Sequence, residues 1–122
     1  MSTGKWRVIE LAFEQQREIF RVSSLFPQDE KFSLTSQIRR SSRSVCANLS
    51  EAYSKRRYEP HFISKITDAD AENAETHTWL IIAMDCGYLS NEMSKLSLDF
   101  NVQISKLLYY MKHNPQKFCY IK

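Results

Sequence analysis

The stretch Leu34-Thr35-Ser36-Gln37-Ile38-Arg39-Arg40-Ser41-Ser42-Arg43-Ser44-Val45-Cys46-Ala47-Asn48-Leu49-Ser50-Glu51-Ala52 decides the fold. Leu34, Ile38, Val45, Leu49 and Ala52 recur at spacings of three, four and seven, the period of one helix face. No glycine or proline interrupts them. Ser33, Ser36, Ser41, Ser42, Ser44, Ala47, Ser50 and Ser54 keep this helix thin, so neighbouring helices can approach closely. With about 100° of rotation per residue, Arg39 and Arg43 project roughly opposite the apolar stripe and Arg40 to one side. A second basic knot, Lys55-Arg56-Arg57, follows where the helix ends. Pro27 before the stretch and Pro60 after it set the limits, predicting a helix over 28–55.

Three more amphipathic segments surround it. In 5–24, Val8, Leu11, Ala12, Gln15, Ile19 and Val22 form one stripe, with Ile9, Phe13 and Phe20 beside it. That arc is wider than one helix contact requires, so this helix sits between two neighbours or also faces another subunit. In 60–86, Phe62, Ile66, Ala69, Asn73, Leu80 and Met84 share a face, and Gly87 suits the residue just past a helix end. In 91–113, capped by Ser90 or Asn91, the expected stripe is Met93, Leu96, Phe100, Ile104, Leu107 and Met111. Asn114-Pro115 stops that helix. The tail, 115–122, packs on its own bundle, crosses to a neighbour, or frays.

The expected architecture is all-α: an antiparallel up-and-down four-helix bundle, one domain over 1–122. Composition agrees. Two glycines and three prolines in 122 residues are too few for the turns of a sandwich or barrel, and 43% apolar with 25% charged residues is ordinary for a globular chain. The apolar runs are short and broken by charge, so no membrane association is expected. Met1 to Trp6 leads into an amphipathic segment without a secretory apolar run. Cys46, Cys86 and Cys119 have no paired spacing. A cytoplasmic protein without disulfides is therefore expected.

Motifs for catalysis are weak. His61, His77 and His113 are scattered. Glu72 and Glu75 lack the histidine three positions on that a di-metal bundle uses. The cysteines lack zinc spacing, and no glycine-rich phosphate loop is present. No enzymatic activity, cofactor or metal is expected. Asn73 and His77 on the apolar face of the third helix, with Asn48 and Glu51 beside the core of the second, point to a buried polar network that fixes helix pairing.

Charge is the strongest pointer to a partner. Residues 31–58 carry seven cations (Lys31, Arg39, Arg40, Arg43, Lys55, Arg56 and Arg57) against Glu51 alone, a local charge of +6 in a chain of net +3. Guanidiniums spaced along a rigid rod suit successive phosphates. Ser36, Ser44 and Ser54 hydroxyls can add to them, and Tyr53 and Tyr58 can stack on unpaired bases. Residues 61–100 carry seven carboxylates against two lysines, a local −5. The arginines can equally answer that acidic stretch, within the chain or across subunits.

Phe26-Pro27, Leu34-Thr35-Ser36-Gln37-Ile38-Arg39-Arg40, Ser44-Val45, Ala47-Asn48-Leu49 and Glu51-Ala52 together resemble the four-helix-bundle proteins encoded in intervening sequences of bacterial 23S ribosomal RNA genes. The similarity continues through Phe62, Ala71-Glu72, Glu75, Trp79-Leu80 and Asp85-Cys86-Gly87-Tyr88-Leu89, over about 6–110. It implies kinship with the accessory variability determinant proteins of diversity-generating retroelements. From that follow a homo-oligomer, a pentamer first and a dimer as alternative, an RNA- or DNA-binding basic surface, and a protein partner such as a reverse transcriptase. Carried onto this chain, the surface falls on Arg39, Arg40 and Arg43, then on Lys55, Arg56 and Arg57. The family often has Glu-Gly where Glu51-Ala52 stand, so helix two is expected to run further here. Two functions remain open: a nucleic-acid-associated adaptor, or a structural module whose faces serve self-assembly or a protein partner.

Overall fold

A computed structural model describes residues 6–119. Four helices follow one another: α1 (Arg7–Ser23), α2 (Leu34–Ser54), α3 (Glu59–Asp85) and α4 (Asn91–His113). Each helix packs on its chain neighbour and α4 closes back onto α1, while the Cα atoms of the diagonal pairs α1/α3 and α2/α4 stay more than 8 Å apart. The direction of each helix follows from two apolar clusters. One joins the start of α1 (Val8, Leu11) to the end of α2 (Leu49, Ala52), the start of α3 (Phe62, Ile66) and the end of α4 (Leu108, Met111). The other joins Ile19 and Val22 to Leu34, Ile38, Leu80 and Ala83. Only an antiparallel ring of four gives that pairing. The wide apolar arc of α1 is thereby explained inside one chain, because α1 lies between α2 and α4. Each large side chain buried in these clusters contributes about 1.5–3 kcal/mol over its exposed state.

The tail closes the first cluster. A short 3-10 turn (Pro115–Lys117) brings Phe118 against Trp6 at 5.9 Å between ring centroids, and Trp6 also meets Phe62 at 5.6 Å. The tail thus packs on its own bundle as far as Cys119; Tyr120, Ile121 and Lys122 lie outside the described residues.

Two ends are fixed by capping. Gly87 takes φ 80°, and the N–H groups of Tyr88 and Gly87 return to the carbonyls of Ala83 and Met84 at 2.9 and 3.0 Å. This double bond stops α3, and glycine supplies the left-handed residue it needs. Ser90 accepts the Met93 N–H at 3.1 Å and starts α4. The start of α2 departs from the sequence expectation. Residues 28–33 do not continue the helix: Gln28–Glu30 form a 3-10 turn, and Ser33 has a non-helical backbone (φ −126°, ψ −98°). The Glu30 carboxylate makes this start self-sufficient, accepting the Leu34 N–H at 3.1 Å and the Ser33 hydroxyl at 2.6 Å. Its other oxygen accepts the Tyr88 hydroxyl at 2.9 Å, tying the α1–α2 connection to the α3–α4 turn.

Between the two clusters the core is polar. Gln15 of α1, Asn73 of α3 and Asn101 of α4 are all buried. Gln15 donates to the Asn73 side chain at 3.2 Å, Asn101 donates to Gln15 at 2.9 Å, and Asn73 and Asn101 donate to each other's backbone carbonyls at 3.0 Å. Beside them Ser41 and Thr76 join α2 to α3 at 2.8 Å. The expected network of Asn48, Glu51, Asn73 and His77 is therefore corrected: of the four, only Asn73 is buried. The buried seam of α3 runs Phe62, Ile66, Ala69, Asn73, Thr76, Leu80 and Ala83, alternating steps of four and three. Thr76 fills the inward place and His77, one residue on, turns to solvent. Asn48 and Glu51 lie beside the α2 seam and meet Lys65 of α3 instead, Glu51 by an ion pair of 2.8 Å.

The α4 seam is likewise rotated from the expected stripe. The buried residues are Ser94, Ser97, Asn101, Ile104, Leu108 and Met111. The three-four alternation set by Ile104, Leu108 and Met111 reaches small serines when traced back, and these let α4 approach closely. Met93 and Leu96 are left on the outside.

Two outcomes follow for stability. Asn101→Ala orphans buried groups on Gln15 and Asn73 and should cost about 2–3 kcal/mol in urea unfolding. Replacing Gln15, Asn73 and Asn101 together by leucine should cost much less, while broadening the amide NMR spectrum as helix register loosens. The second outcome concerns acid. Hydrogen bonds from Ser33, then Tyr88, then the Leu34 N–H hold the Glu30 carboxyl below its usual range. Its contribution is present above the ordinary carboxylate range and is lost as pH falls through the lowered value. The urea midpoint of the native chain should therefore fall more steeply in acid than that of Glu30→Gln.

Candidate nucleic-acid interface

The basic run on α2 divides three ways. Arg39 leans onto α1: its Nε donates to the Ser23 hydroxyl at 2.7 Å and one Nη to the Phe20 carbonyl at 3.3 Å. Its guanidinium lies 4.2 Å from the centre of the Phe20 ring, and that of Arg43 lies 5.7 Å from the same ring. Phe20, half exposed, is thus a platform that orders two arginines. Arg40 points the other way and is held by the carboxylates of Glu72, at 3.0 Å, and Glu75 on α3. Burial and the adjacent Glu72 push the Glu75 carboxyl up, while Arg40 pulls it down. Two carboxylates around one guanidinium leave a local charge of −1, so Arg40 is answered within the chain.

Among the described residues, ion pairs engage Arg7, Arg17, Arg21, Arg40 and Lys65; none engages Lys31, Arg39 or Arg43. These three line an open groove of about 560 Å³ with Phe32, Thr35, Ser36 and Arg40. A second apolar groove of about 360 Å³, floored by Phe13, Cys46, Ala47 and Ser50, shares Arg43 with the first. The first groove runs along the outer face of α2 with no α1 residue in its lining, and only the second lies at the α1/α2 seam. Cys46 in its floor is buried, which pushes its thiol up to about 11 and keeps it protonated.

The second knot lies elsewhere. Sixteen residues separate Arg39 from Lys55, about 24 Å along the helix. Lys55 ends α2, exposed, and Arg57 is exposed in the following turn. Arg56 folds back, donating to the Tyr53 carbonyl at 2.7 Å with its guanidinium 3.7 Å from that ring's centre. Tyr53 also meets Trp6 edge-on at 5.0 Å. Tyr53 is therefore a packing residue and not an open stacking surface; Tyr58 remains 56% exposed beside His61. Of the serines, Ser36 already donates to the Ser33 carbonyl at 3.1 Å, so its proton is used.

Sequence reasoning missed Phe32, 86% exposed in the middle of the cations. The signal was present, since Phe32 is the one large apolar residue of that segment off the Leu34–Ile38 stripe. Among the described residues no group of three or more His, Cys, Asp or Glu side chains forms a metal-ligand set, and no helix is long and apolar enough to cross a membrane.

The comparisons agree with this architecture. A crystal structure of a protein of unknown function from the S23 ribosomal protein family of Bacteroides thetaiotaomicron has a similar fold, with a TM-score of 0.79 and 27% identity, covering 87% of this chain and 95% of that one. No curated protein matches the sequence. Residues 4–110 match the family described as 23S rRNA-intervening sequence protein. With its four-helix ring and this match over most of its length, the chain belongs to the 23S rRNA-intervening sequence protein family.

Proposed function

We propose that the protein is a non-enzymatic, nucleic-acid-associated adaptor that acts as a homo-oligomer, with RNA or DNA phosphates bound along α2. One observation carries the reading: Arg39 and Arg43, ordered over Phe20 and engaged by no carboxylate among the described residues, share an open groove with Lys31. Ordered guanidiniums lose little freedom on meeting a phosphate, and they contact the backbone without reading sequence. Lys55, Arg56 and Arg57 form a separate basic patch about 24 Å further along, at the far end of α2. Arg40, answered by Glu72 and Glu75, adds less to the interface than its neighbours.

Self-association has its own support on α4. Met93, Leu96, Phe100, Leu107 and Tyr110 recur at steps of three, four and seven along one side of the helix, with Met93, Leu96 and Tyr110 exposed and the other two half-buried. A second copy would cover such a stripe, in a pentamer or, alternatively, a dimer. The same stripe supports the second reading, a structural module that meets only itself or a protein partner such as a reverse transcriptase.

Arg39→Ala/Arg43→Ala should weaken RNA binding and lower the slope of log affinity against log salt by about 1.4–1.8, the share of two phosphate contacts. Unchanged affinity and unchanged retention on heparin would sink the nucleic-acid reading. Met93→Glu/Leu96→Glu, both at exposed positions, should reduce the mass seen in sedimentation while helicity stays constant. A native chain that sediments as a monomer at micromolar concentration would overturn the oligomer.

A further inference from the structure

We propose that the groove beside the α1–α2 connection takes an unpaired nucleotide: its base stacks on Phe32 while Arg39 and Arg43 hold the flanking phosphates. The inference rests on the nucleic-acid reading above and names the form of nucleic acid it requires.

Phe32 is the most exposed large apolar residue of the described chain, at 86%. It is not on a slack loop. The N–H groups of Glu30, Lys31 and Ser33 bond to the carbonyls of Pro27, Gln28 and Glu30 at 2.9–3.0 Å. The Glu30 carboxylate then locks the next residues to the start of α2 and, through Tyr88, to the α3–α4 turn. A ring held out by such a scaffold forgoes its burial energy in the isolated chain, and the backbone that carries it has little freedom left to lose on binding.

The surroundings select the occupant. Lys31 places its ammonium 5.4 Å from the centre of the Phe32 ring, and Arg39 and Arg43 line the same groove. The two arginines are one helical turn apart, about 6 Å along the axis, comparable with neighbouring phosphates on one strand. An aromatic face among cations suits a base with its phosphates. A duplex fits poorly, because its bases already stack on one another and their faces open only at a cost in unstacking. Apolar protein segments have no need of the cations, and a second copy would bring Lys31, Arg39 and Arg43 toward like charge if it docked by the same face.

The test uses the whole chain and three RNA probes, measured by fluorescence anisotropy: a mixed-sequence single strand, its blunt duplex, and an abasic strand of equal length. Phe32→Ala should weaken the single strand about 5- to 150-fold, the span of one base–aromatic stack. It should leave duplex and abasic affinities unchanged, and the salt slope too, since the phosphate contacts remain. Phe32→Trp should restore single-strand binding. Equal loss on all three probes, or no loss on the single strand, overturns the stacking role while the phosphate-binding reading stands. No binding of any probe by the native chain overturns both. A fall in sedimenting mass for Phe32→Ala with RNA affinity intact assigns the ring to a second copy and also overturns the inference.

Discussion

The buried amide layer of Gln15, Asn73 and Asn101 is the constraint on which the remaining structure depends. Apolar side chains alone would tolerate sliding of one helix past another by a turn, because leucine meets isoleucine almost as well one step along. Three amides that satisfy each other across α1, α3 and α4 tolerate no such slip, since every shift leaves a donor or acceptor dry. The layer sits near the middle of these three helices, so it divides the core into two apolar halves and sets which residues of α1, α3 and α4 lie opposite one another, while the Ser41–Thr76 bond beside it fixes α2 against α3. With that register fixed, Glu72 and Glu75 come within reach of Arg40.

That last consequence changes the meaning of the basic run. Counted along the chain, six arginines and lysines of α2 and its end form one field. In space, Arg40 belongs to an intrachain ion cluster, exposed enough that it adds little to stability. Its effect on the surface charge is larger. It removes one cation from the outward face and leaves Arg39 and Arg43 on the α1 side, where Phe20 orders them. The candidate interface is accordingly narrower than the sequence run, and it lies on the outer face of α2, beside α1.

The fold was legible because periodicity survives without coordinates. The stripe of α2, Gly87 as the stop of α3 and Ser90 as the cap of α4 each rest on local chemistry that a sequence displays. The α4 face was misread because burial there follows packing rather than hydropathy. Ser94 and Ser97 are inside since small residues let helices close up, while the more apolar Met93 and Leu96 are outside. The amide layer was half legible. Asn73 stood on an apolar stripe and signalled itself, whereas Gln15 passed as an ordinary member of its stripe and Asn101 fell off the stripe expected for α4. Phe32 was hidden by a helix drawn six residues too long, for no local rule shows that Glu30 folds back to serve as the cap.

The ring order of the helices also bears on whether assembly and nucleic-acid binding compete. α2 and α4 are diagonal partners whose Cα atoms stay more than 8 Å apart. The outer apolar stripe of α4 and the cationic groove of α2 therefore open toward different sides of the bundle. Copies joined through α4 would keep their α2 faces outward, and the cations of neighbouring copies would form a repeated array. A single groove with three cations binds a strand weakly at physiological salt. Repeating it converts later contacts into intramolecular ones, so avidity rises without any new residue. In such an assembly self-association would strengthen an otherwise modest interface, and the two proposed faces would serve one purpose.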